Sequence, residues 1–563
     1  MKINPINTAN NTLPNSNTQN QTSFKSETGY DTFEKTTDIE DKIIMTNIKN
    51  YKDLRDEFGK KLEKVTHHTE LSAWDFYTNS TQENLQRYTV AQEEMSNLYK
   101  DKNLYEKFKK IKEAGLGDKQ LNKQVKDIVR SFYDEIESGK ELKALRDKEN
   151  EIANKYNSYV MKIDGKPVSK AEISKILETE TDPKIRKKAY EANIKAGDVI
   201  ADDLVELVKM RNEYAKSKGY DNYFDYIIEE EYDISPQKLN ELTNGVYSKV
   251  GEECEYYYQK RQEVLSKAFN IAKNELKDWH YGLLPKDSPA GAVNEYLKTK
   301  EQIVDIARKT YTRMGYNVDN MGITLDLFPR KNKNTHGFAF CIKPGEDARI
   351  LANLTNNTYS LDTILHELGH CVYDIGIDTK LPFVEQDCSS PVMTEAIAMM
   401  MGDLPKSEPI LKGIVPDNVL KPFMEELKED DARFVTRSLQ IINFEQEMYK
   451  NPDQDLKELW KTMKQKYLFR SENTEINNEW ATIPHYLSHP GYYQNYFRAA
   501  LLKAQIYNAM RAELGEITKN KKTADFLNKK LFRYGSSVWE EDLIKNMTGK
   551  PLSEKDFCDR ITK

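Results

Sequence analysis

The 563-residue chain is 38% hydrophobic and 31% charged, which is typical of a soluble globular protein large enough to hold two or more lobes. A net charge of −7 without a basic block argues against nucleic acid as the main partner, and no apolar run is long enough to span a membrane. The five scattered cysteines, with no C-x-x-C pair, predict reduced thiols and a cytoplasmic location.

Residues 1–28 are rich in Asn, Thr, Ser and Gln and almost free of apolar side chains. This composition predicts a disordered polar tail. The tail lacks the apolar stretch that a secretory signal peptide requires. The alternative is a targeting signal for a specialised secretion system, which has the same polar composition.

From about residue 30 to residue 300, apolar and charged side chains alternate at helical spacing, with few Gly or Pro. The pattern predicts a long series of amphipathic helices, whose Glu- and Lys-rich faces we interpret as solvated surfaces. The clearest predicted helices cover residues 52–68, 80–99, 118–137, 140–159, 169–178, 182–196 and 202–217.

Residues 322–354 contain three short extended runs separated by turn-forming residues. The runs, at residues 323–328, 336–341 and 349–354, predict a small sheet. An edge strand of such a sheet either pairs with the main chain of a bound peptide or only covers the core, and the pattern favours neither alternative.

An H-E-x-x-H pattern runs from His366 to His370 inside a segment of helical periodicity, for which Ser360 is the predicted N-cap. Because four residues span just over one turn, the two histidines project from one face and can bind one zinc ion. Glu367 lies beside them, where a general base for the attacking water is needed. The alternative is two surface histidines on a charged helix. The apolar stripe of the predicted helix consists of Leu361, Ile364, Leu365, Leu368 and Val372.

The best candidate for a third zinc ligand is Glu395. It lies in a second predicted helix, which has Ser390 as N-cap and Pro391 at its first position. This helix is apolar nearly all round, so it is expected to be buried, and a buried glutamate is costly unless a cation meets its charge. Asp374 would extend the row of the two histidines and could not surround a tetrahedral ion.

Residues 485–496 contain two histidines and four tyrosines in twelve residues. Peptide hydrolysis builds an oxyanion that needs hydrogen-bond donors besides the metal, and His and Tyr side chains supply such donors. The alternative is an aromatic packing cluster.

Six collinear segments, taken together, resemble the angiotensin-converting-enzyme family of zinc dipeptidyl carboxypeptidases, and its bacterial members in particular. The segments are AWDFYTNSTQEN at residues 73–84, HGFAFCIKPGEDARI at 336–350, HELGHCVYDIGIDTKLPFVEQDCSSPVMTEAIAMMMGDL at 366–404, NFEQEMYKNPDQDLKELW at 443–460, HYLSHPGYYQNY at 485–496 and GSSVWEEDLIKNMTGKPLS at 535–553. The resemblance covers the chain from about residue 70 to its end.

The resemblance implies a mainly α fold, a two-lobed helical shell around a deep substrate cleft with a small β-sheet beside the zinc site. Residues 29–563 would form one domain, with a lid and first lobe over about 29–300 and the zinc-bearing part over about 301–563. The implied activity is release of C-terminal dipeptides from short peptides with one zinc ion. The alternatives are an oligopeptidase or carboxypeptidase with another cleavage position, and a zinc- and peptide-binding protein that has lost catalysis.

The resemblance also implies roles for individual residues. The zinc ligands would be His366, His370 and Glu395, with Glu367 as general base and then acid. The tetrahedral intermediate would be stabilised by His485 and Tyr496. The substrate would be held along its backbone by His336, Gly337 and Ala339 and near its C-terminal end by Tyr493.

Three positions depart from the family pattern. Met399 replaces an Asp that orients a zinc histidine, a role for which Asp362 and Asp403 are the candidate substitutes. Ile483 replaces a Lys that would bind a free C-terminal carboxylate. Asn495 replaces an Arg that binds chloride, so dependence on chloride is not expected.

Overall fold

The chain folds mainly into α-helices and has a small three-stranded β-sheet, as the sequence predicts. The computed structural model describes residues 30–136, 139–284 and 288–563, so the predicted tail of residues 1–28 lies outside the described residues. The α-helices of the described residues are α1 Tyr30–Thr78, α2 Gln82–Tyr99, α3 Lys102–Ala114, α4 Lys119–Ile136, α5 Gly139–Ser158, α6 Lys170–Thr179, α7 Pro183–Ser217, α8 Tyr223–Glu230, α9 Pro236–Phe269, α10 Pro289–Asn294, α11 Lys300–Met314, α12 Thr358–Gly376, α13 Pro391–Gly402, α14 Leu404–Ser407, α15 Asp417–Lys450, α16 Leu456–Leu468, α17 Pro484–Ser488, α18 Tyr493–Leu514, α19 Lys522–Lys530, α20 Glu540–Thr548 and α21 Lys555–Thr562. Among the described helices, none has the length and apolar character needed to cross a membrane.

Helix α7 is continuous, whereas the sequence pattern predicted two helices at residues 182–196 and 202–217. Gly197 lies in the predicted gap and remains helical. A Cβ atom at this position would collide with the carbonyl oxygen of Asn478. The glycine therefore allows residues 478–482 to approach the helix closely, and it does not end the helix.

The small sheet contains three strands, β3 Ile323–Asp326, β4 Phe338–Lys343 and β5 Asp347–Leu351, in the order β3-β5-β4. Strand β5 pairs in parallel with β3 and antiparallel with β4, so β4 is an edge strand. The ring of Trp74 on α1 packs edge-on against Phe340 of β4 at 5.5 Å between centroids. A separate two-stranded hairpin joins β1 Lys162–Ile163 to β2 Lys166–Pro167.

Two large apolar cores organise the described part of the chain. The first contains buried residues of α10 to α14, α19 and α20, and the second contains those of α7 to α9, α15 and α16. Helix α18 lies between them, because Leu502 is buried in the first core and Leu501 in the second. Met399 of α13 packs against both cores. The helices α13 and α18 thus connect the two cores.

The N-terminal helices are anchored to the loop between α12 and α13. The Arg55 guanidinium of α1 lies 2.8 Å from the Glu385 carboxylate, and both side chains are more than 90% buried. Gln124 of α4 donates to the same carboxylate at 3.0 Å. We call this group of three residues the N-terminal anchor.

A second group of buried charges fixes the end of α13 to the C-terminal helix α21. Asp403, which caps α13, pairs with Arg560 of α21 and with Lys503 of α18, the latter at 2.8 Å. Asp431 of α15 pairs with the same two cations. Although burial acts in the opposite direction, Lys503 and Arg560 hold the pKa of Asp403 well below its usual range. We call these four residues the C-terminal anchor.

Candidate functional site

Helix α12 carries the H-E-x-x-H motif and begins three residues earlier than predicted. Asn357 is its N-cap, because the Asn357 side chain accepts a hydrogen bond from the Ser360 amide at 2.8 Å. Ser360, the predicted cap, lies inside the helix, where its hydroxyl accepts from the Thr355 amide at 2.9 Å. The prediction of a buried apolar stripe is confirmed, since all five of its residues are at most 1% exposed: Leu361, Ile364, Leu365, Leu368 and Val372.

Helix α13 packs very closely on α12, and this contact brings Glu395 to the two histidines. A Cβ atom added at Gly369 would lie 2.8 Å from the Cα atom of Ala398, a distance that real Cβ atoms do not reach. The predicted start of α13 is confirmed, with Ser390 accepting from the Met393 amide at 3.1 Å and Pro391 at the first helical position.

The predicted zinc ligands form one cluster. One donor atom from each of His366, His370 and Glu395 lies within 4.8 Å of the others, and Nε2 of His366 is 3.8 Å from Oε2 of Glu395. Burial raises the pKa of the Glu395 carboxyl to about 7 and lowers the pKa of the His366 imidazole to about 4. Two neutral imidazoles and one carboxylate are the donor set of catalytic zinc sites, and a cation would offset the cost of burying the carboxylate. The residues present therefore fit a zinc ion.

His370 has a hydrogen-bond partner that was not predicted from the sequence. Its Nδ1 atom lies 2.8 Å from the Thr394 hydroxyl, one residue before Glu395. This contact fixes the orientation of the ring and leaves Nε2 for the metal.

Two acidic residues other than Glu395, Asp362 and Asp403, lie near His366. A Cβ atom at Gly402 would collide with the Asp362 carboxylate and would lie 3.5 Å from Cβ of His366, so these three residues are in contact. Burial raises the pKa of Asp362 to about 6, and the nearby Asp403 carboxylate adds to this shift. Met399 supplies no carboxylate to orient a zinc histidine, and its side chain packs against both cores.

Glu367 lies against strand β4. Its carboxylate accepts a hydrogen bond from the Ala339 amide, and a Cβ atom at Gly337 would lie 3.5 Å from its Oε1 atom. Burial raises the pKa of Glu367 to about 8, and the Glu395 carboxylate raises it further. His336, just before this strand, is exposed, and its backbone amide donates to the Asn334 side chain at 2.9 Å. The base, the metal ligands and the edge strand thus meet at one place.

The aromatic patch surrounds His485. The ring centroid of His485 lies 4.8 Å from that of Tyr493 and 6.0 Å from those of Tyr492 and Tyr496. Burial, followed by the effect of His489, lowers the pKa of His485 to about 4. Its imidazole is therefore neutral at neutral pH and keeps one N–H donor.

Tyr492 and Tyr496 both lie within electrostatic reach of Glu395. Burial raises the pKa of both phenols, that of Tyr496 to about 12, and the Glu395 carboxylate adds to each shift. Tyr496 was predicted from the sequence and Tyr492 was not, although their separation of four residues places them on one side of a helical turn. For Tyr493, burial raises the pKa and the Arg437 guanidinium acts in the opposite direction.

The comparisons with known proteins agree with this geometry. The sequence model of peptidase family M3 matches residues 176–563, and that of angiotensin-converting enzyme matches residues 45–257. The chain is 23% identical over 401 residues to the protein named oligoendopeptidase F, chromosomal, of Lactococcus lactis subsp. cremoris. The matched region covers 67% of this chain and 62% of that protein. It is 25% identical over 224 residues to an oligoendopeptidase F homolog of Lactococcus lactis subsp. lactis (strain IL1403), over 38% of this chain and 35% of the homolog. The chain thus spans less than two thirds of the length of either relative.

The two family matches overlap over residues 176–257, and of the two only the M3 match includes the motif. The angiotensin-converting-enzyme match ends at residue 257, whereas the M3 match covers more than half of the chain and includes His366, His370 and Glu395. The prediction of a zinc-metallopeptidase family, with two histidines and a downstream glutamate, is therefore confirmed. By the extent of this match and by its ligand cluster, the chain belongs to peptidase family M3.

Proposed function

We propose that this protein hydrolyses peptide bonds within short peptides, using one zinc ion held by His366, His370 and Glu395. The observation that carries this proposal is the position of Glu367, whose carboxylate borders the ligand cluster and is hydrogen-bonded by the Ala339 amide of an edge strand. A protein that only binds zinc or peptide has no need of a base at this point.

Zinc, when bound, supplies a Lewis acid that polarises the scissile carbonyl and makes a water molecule more acidic. The Glu367 carboxylate takes a proton from the attacking water and returns it to the leaving amine. His485 donates through its neutral imidazole, and Tyr496 donates through a phenol that stays protonated. Both donors stabilise the oxyanion that forms during hydrolysis. Tyr492, on the same side as Tyr496, is a third donor of the same kind.

The substrate is expected to bind in extended form along β4. His336, Gly337 and Ala339 border the free edge of this strand, and backbone pairing there would place the scissile bond beside Glu367. Such pairing is independent of side chains, which suits a peptidase that accepts varied short peptides. Folded proteins are poor substrates for this mode because their backbone is already paired.

The preferred cleavage position follows from the relatives, which are named oligoendopeptidases. Cleavage at internal bonds is consistent with Ile483, which offers no cation to a free C-terminal carboxylate. Release of C-terminal dipeptides is the second candidate, because the Arg437 guanidinium acts on Tyr493, where the substrate's C-terminal end is expected. A cytoplasmic location and the absence of nucleic acid and membrane partners stay predictions from composition.

The decisive experiment measures hydrolysis of internally quenched peptides by the zinc-loaded protein, with the masses of the products. Glu367→Gln should lower kcat by about 10²–10⁴-fold while zinc remains bound. Removal of zinc by a chelator should abolish turnover, and zinc addition should restore it. Products cut at varied distances from the C-terminus, equally from amidated and free-acid peptides, support the oligoendopeptidase. Uniform loss of two C-terminal residues from free-acid peptides alone supports the dipeptidase.

Asp374→Asn is the matched control for the third ligand. Asp374 lies on α12 one turn beyond His370, and it is not part of the ligand cluster. We expect Asp374→Asn to keep zinc and activity, whereas Glu395→Gln should lose both. A zinc-loaded wild-type protein that binds peptides but cuts none of them contradicts the proposal and leaves a binding protein.

A further inference from the structure

The His485 ring makes no hydrogen bond to any of the described residues, because both ring nitrogen atoms are buried without a partner. Only its own backbone and the surrounding rings can orient it. Those rings belong to His489, Tyr492, Tyr493 and Tyr496, which follow in the same stretch of chain. The placement of His485 therefore depends on what holds the backbone of residues 484–492, which we call the His485 segment.

Arg211 of α7 holds the first half of the His485 segment. Its guanidinium donates to the carbonyl oxygen of Tyr486 at 2.7 Å and to that of Leu487. Both residues belong to the five-residue helix α17, and the last carbonyl groups of a helix have no partner within it. A guanidinium suits two adjacent acceptors because its N–H groups form a rigid planar fork.

Arg211 is itself fixed from two other helices. It is 1% exposed, and its guanidinium donates to the Tyr449 hydroxyl of α15 at 2.9 Å and to the Glu149 carboxylate of α5 at 2.7 Å. Glu149 compensates the buried positive charge. The guanidinium therefore has little freedom, and it transmits the positions of α5, α7 and α15 to the His485 segment.

Glu445 of α15 holds the second half of the segment. It is 1% exposed, and its carboxylate accepts a hydrogen bond from the Gly491 amide at 2.8 Å. Gly491 has φ of +72°, and a Cβ atom there would lie 3.0 Å from the Ile227 side chain, so this turn favours glycine. The Tyr232 hydroxyl donates to the adjacent Pro490 carbonyl oxygen at 3.2 Å. The turn ends at Tyr492, the first residue before α18.

We propose that Arg211 and Glu445 are positioning residues for catalysis, which hold His485 and Tyr492 where they can donate to the reacting carbonyl group. This inference rests on the proposed peptidase function. Neither residue belongs to the metal cluster or to the expected substrate strand. Their effect is exerted through the backbone of the His485 segment.

The proposal has a specific kinetic signature. Donors to the oxyanion act in the transition state and contribute little to substrate binding. Displacing them should therefore lower kcat and kcat/KM equally and leave KM nearly unchanged. A general loss of packing would instead change the thermal stability without this selective fall in kcat.

The test compares Arg211→Lys with Arg186→Lys. Arg186 lies on the same helix, is 0% exposed, and donates to backbone carbonyl oxygens of Trp279 at 2.7 Å and Glu180 at 2.8 Å, away from the His485 segment. Lys has no planar fork in either place, so both variants lose a similar structural contact. We expect kcat to fall by about 10- to 100-fold in Arg211→Lys and to stay within about twofold in Arg186→Lys.

A second pair of variants tests Glu445 independently. Glu445→Gln keeps an oxygen that can accept from the Gly491 amide, whereas Glu445→Leu removes the acceptor and leaves the amide unpaired. We expect Glu445→Leu to lose at least about 10-fold in kcat and Glu445→Gln to recover most of that loss. This pair decides the question if Arg211→Lys does not fold.

Peptide turnover is measured well below each melting temperature, with zinc content and circular dichroism checked for every variant. Equal kcat values for Arg211→Lys and Arg186→Lys would overturn the positioning role of Arg211, as would a rise in KM at constant kcat. Equal kcat values for the two Glu445 variants would overturn the role of Glu445. A wild-type protein without turnover is a different outcome, which removes the proposed function and the inference together.

Discussion

Within the metal cluster, the orientation of a single imidazole depends on one hydroxyl group. Thr394 contacts Nδ1 of His370 at 2.8 Å, so Thr394→Val should leave this nitrogen without its partner. Because such contacts orient a ligand and set its basicity, we expect zinc affinity to fall by about 10- to 100-fold. Competition with a chromophoric chelator measures the change.

Thr310→Val is the control for the Thr394 variant. The Thr310 hydroxyl is buried in α11 and bonds to the Ile306 carbonyl oxygen of its own helix at 2.8 Å, away from the metal cluster. This variant should keep the zinc affinity of the wild type. Equal affinities in all three proteins would show that the Thr394 contact does not support His370.

The sequence predicted the residues of the cluster whose spacing is itself the signal. His366 and His370 are one turn apart, and Glu395 is a charge in an otherwise apolar helix. Thr394 was missed because its role depends on the rotation of α13 against α12, which local spacing does not encode. Arg211 was missed because a charged residue in an amphipathic helix is usually solvated, whereas this one is buried against distant carbonyl groups.

Among the helices, the close packing of α12 on α13 sets the separation between the histidines and Glu395. Gly369→Ala places a methyl group 2.8 Å from the Ala398 Cα atom and 3.3 Å from Cγ of Met401, so α13 must move away. We expect a loss of about 1–3 kcal/mol in the free energy of unfolding and weaker zinc binding. Urea denaturation and zinc titration measure the two effects.

Gly245→Ala is the matched control, since Gly245 lies inside α9 and its nearest neighbour for a Cβ atom is Glu554 at 3.5 Å. That distance is an ordinary contact, so alanine should be neutral or stabilise by about 0.5–1 kcal/mol through helix propensity. If Gly369→Ala behaved in the same way, the separation of α12 and α13 would not depend on this glycine.

Helix identity was easier to predict from the sequence than helix limits. Side-chain periodicity indicated most of the N-terminal helices, the zinc helix and the small sheet. The start of α12 was misplaced because Asn357 and Ser360 are both good caps and only the folded chain selects between them. The break expected near residue 197 is absent because Gly197 serves a contact with Asn478, almost 300 residues away in sequence.

For the molecule as a whole, the N-terminal anchor joins α1 and α4 to the loop that separates His370 from Glu395. Arg55→Met would leave the buried Glu385 carboxylate without its cation, which should cost about 3–5 kcal/mol. The double variant Arg55→Met/Glu385→Met should recover a large part of that loss, because no charge is then left buried. Urea denaturation of the two single variants and the double variant gives the coupling energy.

Lys61→Met is the control on the same helix. Lys61 lies 3.4 Å from Glu57, and the two side chains are 48% and 62% exposed. Removing this exposed pair should change stability by less than about 1 kcal/mol. An Arg55→Met variant as stable as Lys61→Met would mean that the N-terminal anchor contributes nothing to the folded state.

The overall architecture was predicted through resemblance, because helix periodicity alone gives no tertiary arrangement. The mainly α fold with a small sheet beside the zinc helix is confirmed. The position of α18 between two cores could not be predicted, since its sequence is apolar on several sides and does not specify which side meets which core.

The C-terminal anchor also bears on the order of events during synthesis. Arg560 is 157 residues beyond its partner Asp403. At roughly 5–20 residues per second, the ribosome therefore adds Arg560 about 8–31 s after Asp403. During that interval the three zinc ligands are already made, while Asp403 beside them lacks Arg560. We therefore expect metal loading in the cell to follow the synthesis of Arg560.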